Sequence, residues 1–342
     1  KVCSISSTDT LSFGPTVTDI SSDISYGSSF GYYSIAFNPD ASGRFTLILR
    51  DPSSYAYKSI AGLVTGDTVT VGSEVTIPDS VINPVGTLQT SISGNIDVKY
   101  SPSLADTFIL LYSVRAPANS THSTAIAVGT HVGSTISIVG RTLLPEDEEV
   151  RGLGAMNLLD ISAVAFNPHD TSGRSFVLAH VHTGASCLVG TISTANSISW
   201  VGRKHQFSAL DRAVGLGISF DPIEPHRFLL TYGGDPYSGA ESASKVYQEG
   251  RVHGNHIHLE DPQPYCKIEE RPEVDSMVSE NAGLSLPRFS SVIFDPSVQG
   301  RFLLGYPVST GSYSKGMGEF LVGKLSINTG HPTSSIVQID DP

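Results

Sequence analysis

Five segments of this chain repeat one pattern: an apolar strand, a Phe-Asn/Asp-Pro step or a variant of it, a short polar turn often ending Gly-Arg-Phe, and a second apolar strand. They are 34–49 (SIAFNPDASGRFTLIL), 97–112 (DVKYSPSLADTFILLY), 163–179 (AVAFNPHDTSGRSFVLA), 217–232 (GISFDPIEPHRFLLTY) and 291–306 (SVIFDPSVQGRFLLGY). Asn or Asp before Pro starts a turn, because the side chain bonds to the backbone ahead and Pro presets the next φ. Gly43, Gly173 and Gly300 supply positive φ where the chain reverses. Arg44, Arg174, Arg227 and Arg301 recur at nearly the same point, where an arginine pairs with a turn carboxylate or carbonyl.

A second half-pattern follows each of these: a strand ending in Val-Gly or similar, a polar turn, and an alternating strand. Segments 60–72 (IAGLVTGDTVTVG), 126–141 (IAVGTHVGSTISIVGR) and 188–203 (LVGTISTANSISWVGR) carry it, with looser copies at 247–261 and 321–339. Alternation of this kind sets one face toward a core and the other toward solvent. Each full repeat thus holds four strands over about 55 to 70 residues, the grammar of a propeller blade. The fold expected is an all-β propeller of four-stranded antiparallel blades, with an array of β-sandwiches as the alternative. The blades are read as 32–86, 87–156, 157–214, 215–288 and 289–342, together one domain. Residues 1–31 are an orphan outer hairpin plus linker, since 1–18 matches only the second half-pattern. That excess makes Lys1, Val2, Cys3, Ser4 and Ile5 candidates for assembly with another subunit, because an unpaired strand edge invites pairing. The chain opens on Lys1, which leaves room for a removed leader or a longer parent chain.

Composition agrees with many short strands: Gly 33 and Pro 20 in 342 residues, 39% apolar and only 16% charged. The net charge of −12 speaks against a nucleic-acid surface, which needs Lys and Arg to neutralise phosphates. It also speaks against docking on anionic headgroups, and no apolar run has the length of a membrane span. Cys3, Cys187 and Cys266 show neither metal spacing nor a disulfide framework.

Candidate chemistry is sparse. Asp97, Asp160, Asp211 and Asp235 lie near the ends of inner strands, where a propeller glycoside hydrolase would carry its carboxylates; strand-end carboxylates are also ordinary loop residues. His256 and His258 alternate on one predicted strand, with His253 before them, and are the candidate metal ligands. His180 and His182 form a similar pair. Trp200 is the sole tryptophan. Tyrosines expected in loops, Tyr32-Tyr33, Tyr55, Tyr57, Tyr237 and Tyr313, offer amphipathic contacts suited to a glycan. Asn119-Ser120-Thr121 is a glycosylation sequon. No catalytic residue and no cofactor is assigned.

The steps Val128-Gly129-Thr130, Val189-Gly190-Thr191 and Leu11-Ser12-Phe13-Gly14 resemble degenerate repeats of structural and tail-fibre-type proteins of marine phages and algal viruses. That resemblance implies a non-enzymatic structural or adhesive module of an extracellular or virion-surface assembly, a fibre, appendage or filament, working as a homo-oligomer or with other subunits. The alternatives are a carbohydrate-active propeller enzyme of glycoside-hydrolase type and a secreted propeller lectin.

Overall fold

The computed structural model describes residues 3–5, 11–13, 33–50, 56–66, 68–77, 96–115, 122–132, 135–143, 161–181, 185–208, 214–233, 245–266, 291–309, 316–325 and 333–335. Every regular element among them is a strand. β1 (Cys3–Ile5) and β2 (Leu11–Phe13) pair antiparallel as a two-stranded sheet. Blade 1 holds β3 (Tyr33–Phe37), β4 (Arg44–Arg50), β5 (Tyr57–Thr65), β6 (Thr68–Val71) and β7 (Val75–Thr76). Blade 2 holds β8 (Ile96–Tyr100), β9 (Thr107–Arg115), β10 (His122–Val132) and β11 (Thr135–Leu143). Blade 3 holds β12 (Ile161–Phe166), β13 (Ser175–Val181), β14 (Ala185–Ile192) and β15 (Ile198–Ser208). Blade 4 holds β16 (Val214–Phe220), β17 (Arg227–Gly233), β18 (Lys245–His253), β19 (His256–Leu259) and β20 (Gln263–Cys266). Blade 5 holds β21 (Ser291–Phe294), β22 (Arg301–Ser309), β23 (Gly316–Lys324) and β24 (Thr333–Ser335).

In each blade the strands pair in chain order, so each is an antiparallel meander, and the fold class is the five-bladed β-propeller expected from the repeats. Blades 1 and 4 gain a fifth strand only because their outermost strand is broken in two. β6 runs along Gly62, Leu63, Val64 and Thr65 of β5, while β7 runs along Lys58 and Ser59 of that same edge. β19 and β20 divide the edge of β18 in the same way.

Two devices recur in all five blades. The first seats the Phe of the second strand over the Gly of the third. A Cβ on Gly62, Gly129, Gly190, Gly250 or Gly323 would fall 2.0–2.2 Å from the ring Cζ of Phe45, Phe108, Phe176, Phe228 or Phe302. Those rings are at most 2% exposed, and burying each is worth about 1.5–3 kcal/mol. The Gly of the Val-Gly step is therefore a packing requirement.

The second device is the turn between strands one and two. Asn38, Ser101, Asn167, Asp221 and Asp295 each accept, through a side-chain oxygen, the backbone N–H two residues on. The turn closes through a residue of positive φ: Gly43 (74°), Asp106 (52°), Gly173 (64°), His226 (62°) and Gly300 (72°). Three of these are glycine; Asp106 and His226 hold a conformation that disfavours a Cβ.

The chain divides into two compact units, one comprising 1–160 with 172–175 and 191–199, the other comprising 161–171, 176–190 and 200–342. The first unit's core lies between blades 1 and 2 and contains Ala36, Ile48, Ile96, Val98, Tyr100, Phe108, Leu110 and Tyr112. In the second unit, Leu229 and Tyr247 of blade 4 pack on Val292, Phe294, Phe302 and Leu304 of blade 5.

Candidate functional site

Blades radiate from an axis, so neighbouring blades approach each other through their first strands. Within the first unit β3 lies against β8, and within the second β16 lies against β12 and β21. The carboxylate that the sequence places on such a strand, Asp97, is second in β8. Its neighbours Ile96 and Val98 are buried in the blade 1–blade 2 core, which by strand alternation turns Asp97 and Lys99 the other way.

Asp97 sits at the junction of two blades. Ser34 of β3 donates its Oγ–H to Asp97 Oδ1 at 3.2 Å and accepts the Val98 N–H at 3.1 Å. Lys99 Nζ donates to the same Oδ1 at 2.9 Å. The Asp97 side chain is 13% exposed, against 38% for Lys99. A carboxylate on a blade's first strand with a cation and a hydroxyl on one oxygen is an acceptor held in one orientation.

At the other end of β8 is a buried polar cluster. Tyr100 Oη lies 2.6 Å from Thr46 Oγ1 of β4 and 2.6 Å from His131 Nδ1 of β10. Burial pushes the Tyr100 phenol up to about 12, against the opposing hydrogen bond from Thr46. The phenol stays protonated at physiological pH, and the cluster ties β4, β8 and β10 together.

The turn arginines pair as their recurrence suggests. Arg227 and Arg301 bond to Asp221 and Asp295 of their own turns. Arg44 reaches Asp106, and Arg174 reaches the carbonyls of Ile192 and Ser193. Successive turns are also linked: Asn38 Nδ2 donates to Asp106 at 2.6 Å, Asn167 Nδ2 to His226 Nδ1 at 3.2 Å, and Gln299 Nε2 to Glu224 at 2.7 Å.

Other sequence candidates are dispersed. His256 and His258 are exposed on β19, where His258 lies 3.5 Å from Glu260. Among the described residues no group of three potential ligands gathers around them. His180 is buried, with Nε2 3.1 Å from Ser186 Oγ. Cys187 is a buried free thiol, pushed up to about 12 by burial, so it is no ready nucleophile. Tyr57 is no loop residue: it is 2% exposed and packs edge-on against Tyr112 at 5.7 Å. Trp200 packs edge-on against Phe176 at 5.9 Å. Cys3, Ser4 and Ile5 form β1, paired with Phe13, Ser12 and Leu11. Asp160, Asp211, Asp235, His182, Asn119, Lys1 and Val2 lie outside the described residues. Sequence reading missed Ser34 and Lys99; the Asp-x-Lys spacing was visible, but the approach of Ser34 from another blade was not.

No protein-family model matches the chain, and no curated protein sequence matches it. Solved structures do share its fold. An exo-beta-1,3-galactanase from Clostridium thermocellum aligns over 88% of this chain and 60% of its own length, with 12% identity and a TM-score of 0.50. An alpha-L-arabinanase from Cellvibrio cellulosa aligns over 89% of this chain and 94% of its own, with 11% identity and a TM-score of 0.47. A GH93 alpha-L-arabinofuranosidase of Fusarium graminearum aligns over 90% and 92%, with 12% identity and a TM-score of 0.44. At these identities the likeness is one of fold.

These comparisons correct two expectations: the non-enzymatic fibre or filament module, and the assignment of the chain as not an enzyme. The galactanase, which shares this fold, is a carbohydrate-active enzyme by its name. The physical reason for the error lies in the motif that suggested a fibre. Gly129 and Gly190 of the Val-Gly-Thr steps seat Phe108 and Phe176, so blade packing by itself accounts for the step.

Proposed function

We propose that this chain is a carbohydrate-active propeller enzyme of glycoside-hydrolase type, with Asp97 as one of its working carboxylates. The observation that carries this reading is the placement of Asp97 on a first strand, 13% exposed and held by Ser34 and Lys99. The fold it shares with the galactanase supports the choice of chemistry. Glycoside hydrolysis uses two carboxyl groups: one accepts a proton from water or attacks the sugar carbon, the other protonates the departing oxygen. Asp97, already taking two donors on Oδ1, fits the accepting role. Asp160, Asp211 and Asp235 are the sequence candidates for the donor.

The test is a panel of aryl glycosides (arabinofuranosides, galactosides and xylosides) together with arabinan and β-1,3-galactan. Wild-type protein is expected to release sugar from at least one, and Asp97→Asn to lower the rate by about 10²–10⁴-fold while retaining the wild-type melting profile. A folded wild type inert across the panel, or an Asp97→Asn variant of unchanged rate, overturns the proposal.

A further inference from the structure

Ser34 belongs to blade 1 and Asp97 to blade 2, 63 positions apart. The serine hydroxyl has one proton and here has two neighbours. The Val98 N–H can only donate, so it takes an oxygen lone pair. The hydroxyl proton is thereby left for Asp97 Oδ1, which can accept it at 3.2 Å. Ser34 thus reads the backbone of β8 with one side of its oxygen and the Asp97 carboxylate with the other. Lys99 follows Asp97 by two positions, on the same side of the strand, and its ammonium meets Oδ1 at 2.9 Å. Oδ1 is thus held from two sides, by blade 1 through Ser34 and by β8 itself through Lys99, which restrains the orientation of the carboxylate.

We infer that Ser34, from across the blade 1–blade 2 junction, and Lys99, from the same strand, are positioning residues for Asp97: they orient its carboxylate so that it acts on substrate as an acceptor. The inference rests on the glycoside-hydrolase reading for its chemistry but not for its geometry. Positioning acts on turnover more than on binding, and small misplacements of a reacting group cost up to about 100-fold in rate.

The experiment compares wild type with Ser34→Ala, Ser34→Thr and Lys99→Met on whichever substrate of the panel is cleaved, each variant checked for an unchanged melting curve. Ser34→Ala and Lys99→Met are expected to lower kcat by roughly 10-fold to 100-fold with KM within about twofold, and Ser34→Thr, which keeps the hydroxyl, to restore most of the loss. Equal losses in Ser34→Ala and Ser34→Thr, or a change in KM alone, overturn the inference. If wild type cleaves nothing, the functional reading fails separately. The positioning is then read from the Asp97 carboxyl ¹³C resonance, assigned by its loss in Asp97→Asn. Displacement of that resonance in Ser34→Ala, with recovery in Ser34→Thr, upholds the contact; an unmoved resonance overturns it.

Discussion

In blade 4 the turn arginine, Arg227, is 1% exposed and reaches back to Asp221, itself fully buried, within the same turn. In blade 1 the equivalent Arg44 is 35% exposed and reaches out to Asp106 of blade 2, 37% exposed, at 3.3 Å. Both arginines follow a positive-φ residue and open the second strand. The difference begins at the residue that opens the turn. Blade 4 opens its turn with Asp221 and blade 5 with Asp295, and their arginines stay home. Blades 1 and 3 open theirs with the neutral Asn38 and Asn167, and their arginines go elsewhere, to Asp106 or to the carbonyls of Ile192 and Ser193. The charge of the opening residue decides whether the arginine closes its own turn or joins it to something else.

The comparison breaks most visibly at Asp221. Asp221→Asn keeps an oxygen for the Ile223 and Glu224 N–H groups but leaves Arg227 buried beside a neutral amide. Removing one partner of a buried pair costs about 3–5 kcal/mol, so the urea midpoint should fall sharply. Glu249 is buried and also feels Arg227: burial raises its carboxyl, outweighing the downward pull of Arg227 and Arg251. Adding Glu249→Gln to Asp221→Asn should therefore destabilise the protein further. An Asp221→Asn midpoint like that of wild type would show that burial does not separate the two turns.

The ring seat lies next in size and is common to all five blades. Gly190→Ala brings a Cβ to 2.2 Å from Phe176 Cζ, and overpacking of this kind costs about 1–3 kcal/mol. Phe176→Leu in the same chain should relieve part of that clash, giving a favourable coupling in a double-mutant cycle. Gly254 meets nothing within 4 Å but has φ +62°. Its Ala variant carries only the left-handed penalty of about 1–2 kcal/mol. Thermal melts of the two variants distinguish packing from backbone strain.

Blade 5 sharpens the comparison through pH. Burial raises the Asp295 carboxyl, but the bonds from Ser297 and the Arg301 guanidinium outweigh it and hold the group at about 2. The folded value lies below the unfolded value of about 3.9. Its contribution is therefore fully present above pH 4 and lost as the pH falls through 4 toward 2. Urea midpoints measured between pH 5 and 2 should fall less steeply for Asp295→Asn than for wild type.

Much of the fold was legible because its signals are local. The Asn/Asp-Pro step, the glycine before Arg and the Val-Gly step each answer to a turn or ring within the same blade, and all recur. Contacts between blades were illegible for the opposite reason. Asp106 receives Arg44 from 62 positions away, Ser34 meets Asp97 across 63, and Thr46 lies within 3.2 Å of His131 across 85. Nothing in the composition of one segment announces a partner in another. The histidine pair misled because alternation places His256 and His258 together on a face, yet that face of β19 is exposed.

The smallest effect is expected at Arg44. Its partner Asp106 already takes the Asn38 amide at 2.6 Å, and its backbone N–H bonds to Asp40 Oδ2 at 3.2 Å. Losing the guanidinium therefore leaves the carboxylate with a donor and access to water. Exposed pairs contribute about 0–1 kcal/mol and are screened by salt, so Arg44→Ala should cost less than about 1 kcal/mol at low ionic strength. The difference from wild type should shrink further in 0.5 M salt. Asp221→Asn, its charges shielded from ions by burial, should keep its full penalty there. If both variants responded to salt alike, the distinction between a turn closed on its own arginine and one tied to its neighbour would have no energetic content. If only Arg44→Ala responded, the burial of the pair closed within its own turn would be what sets it apart from the exposed pair between turns.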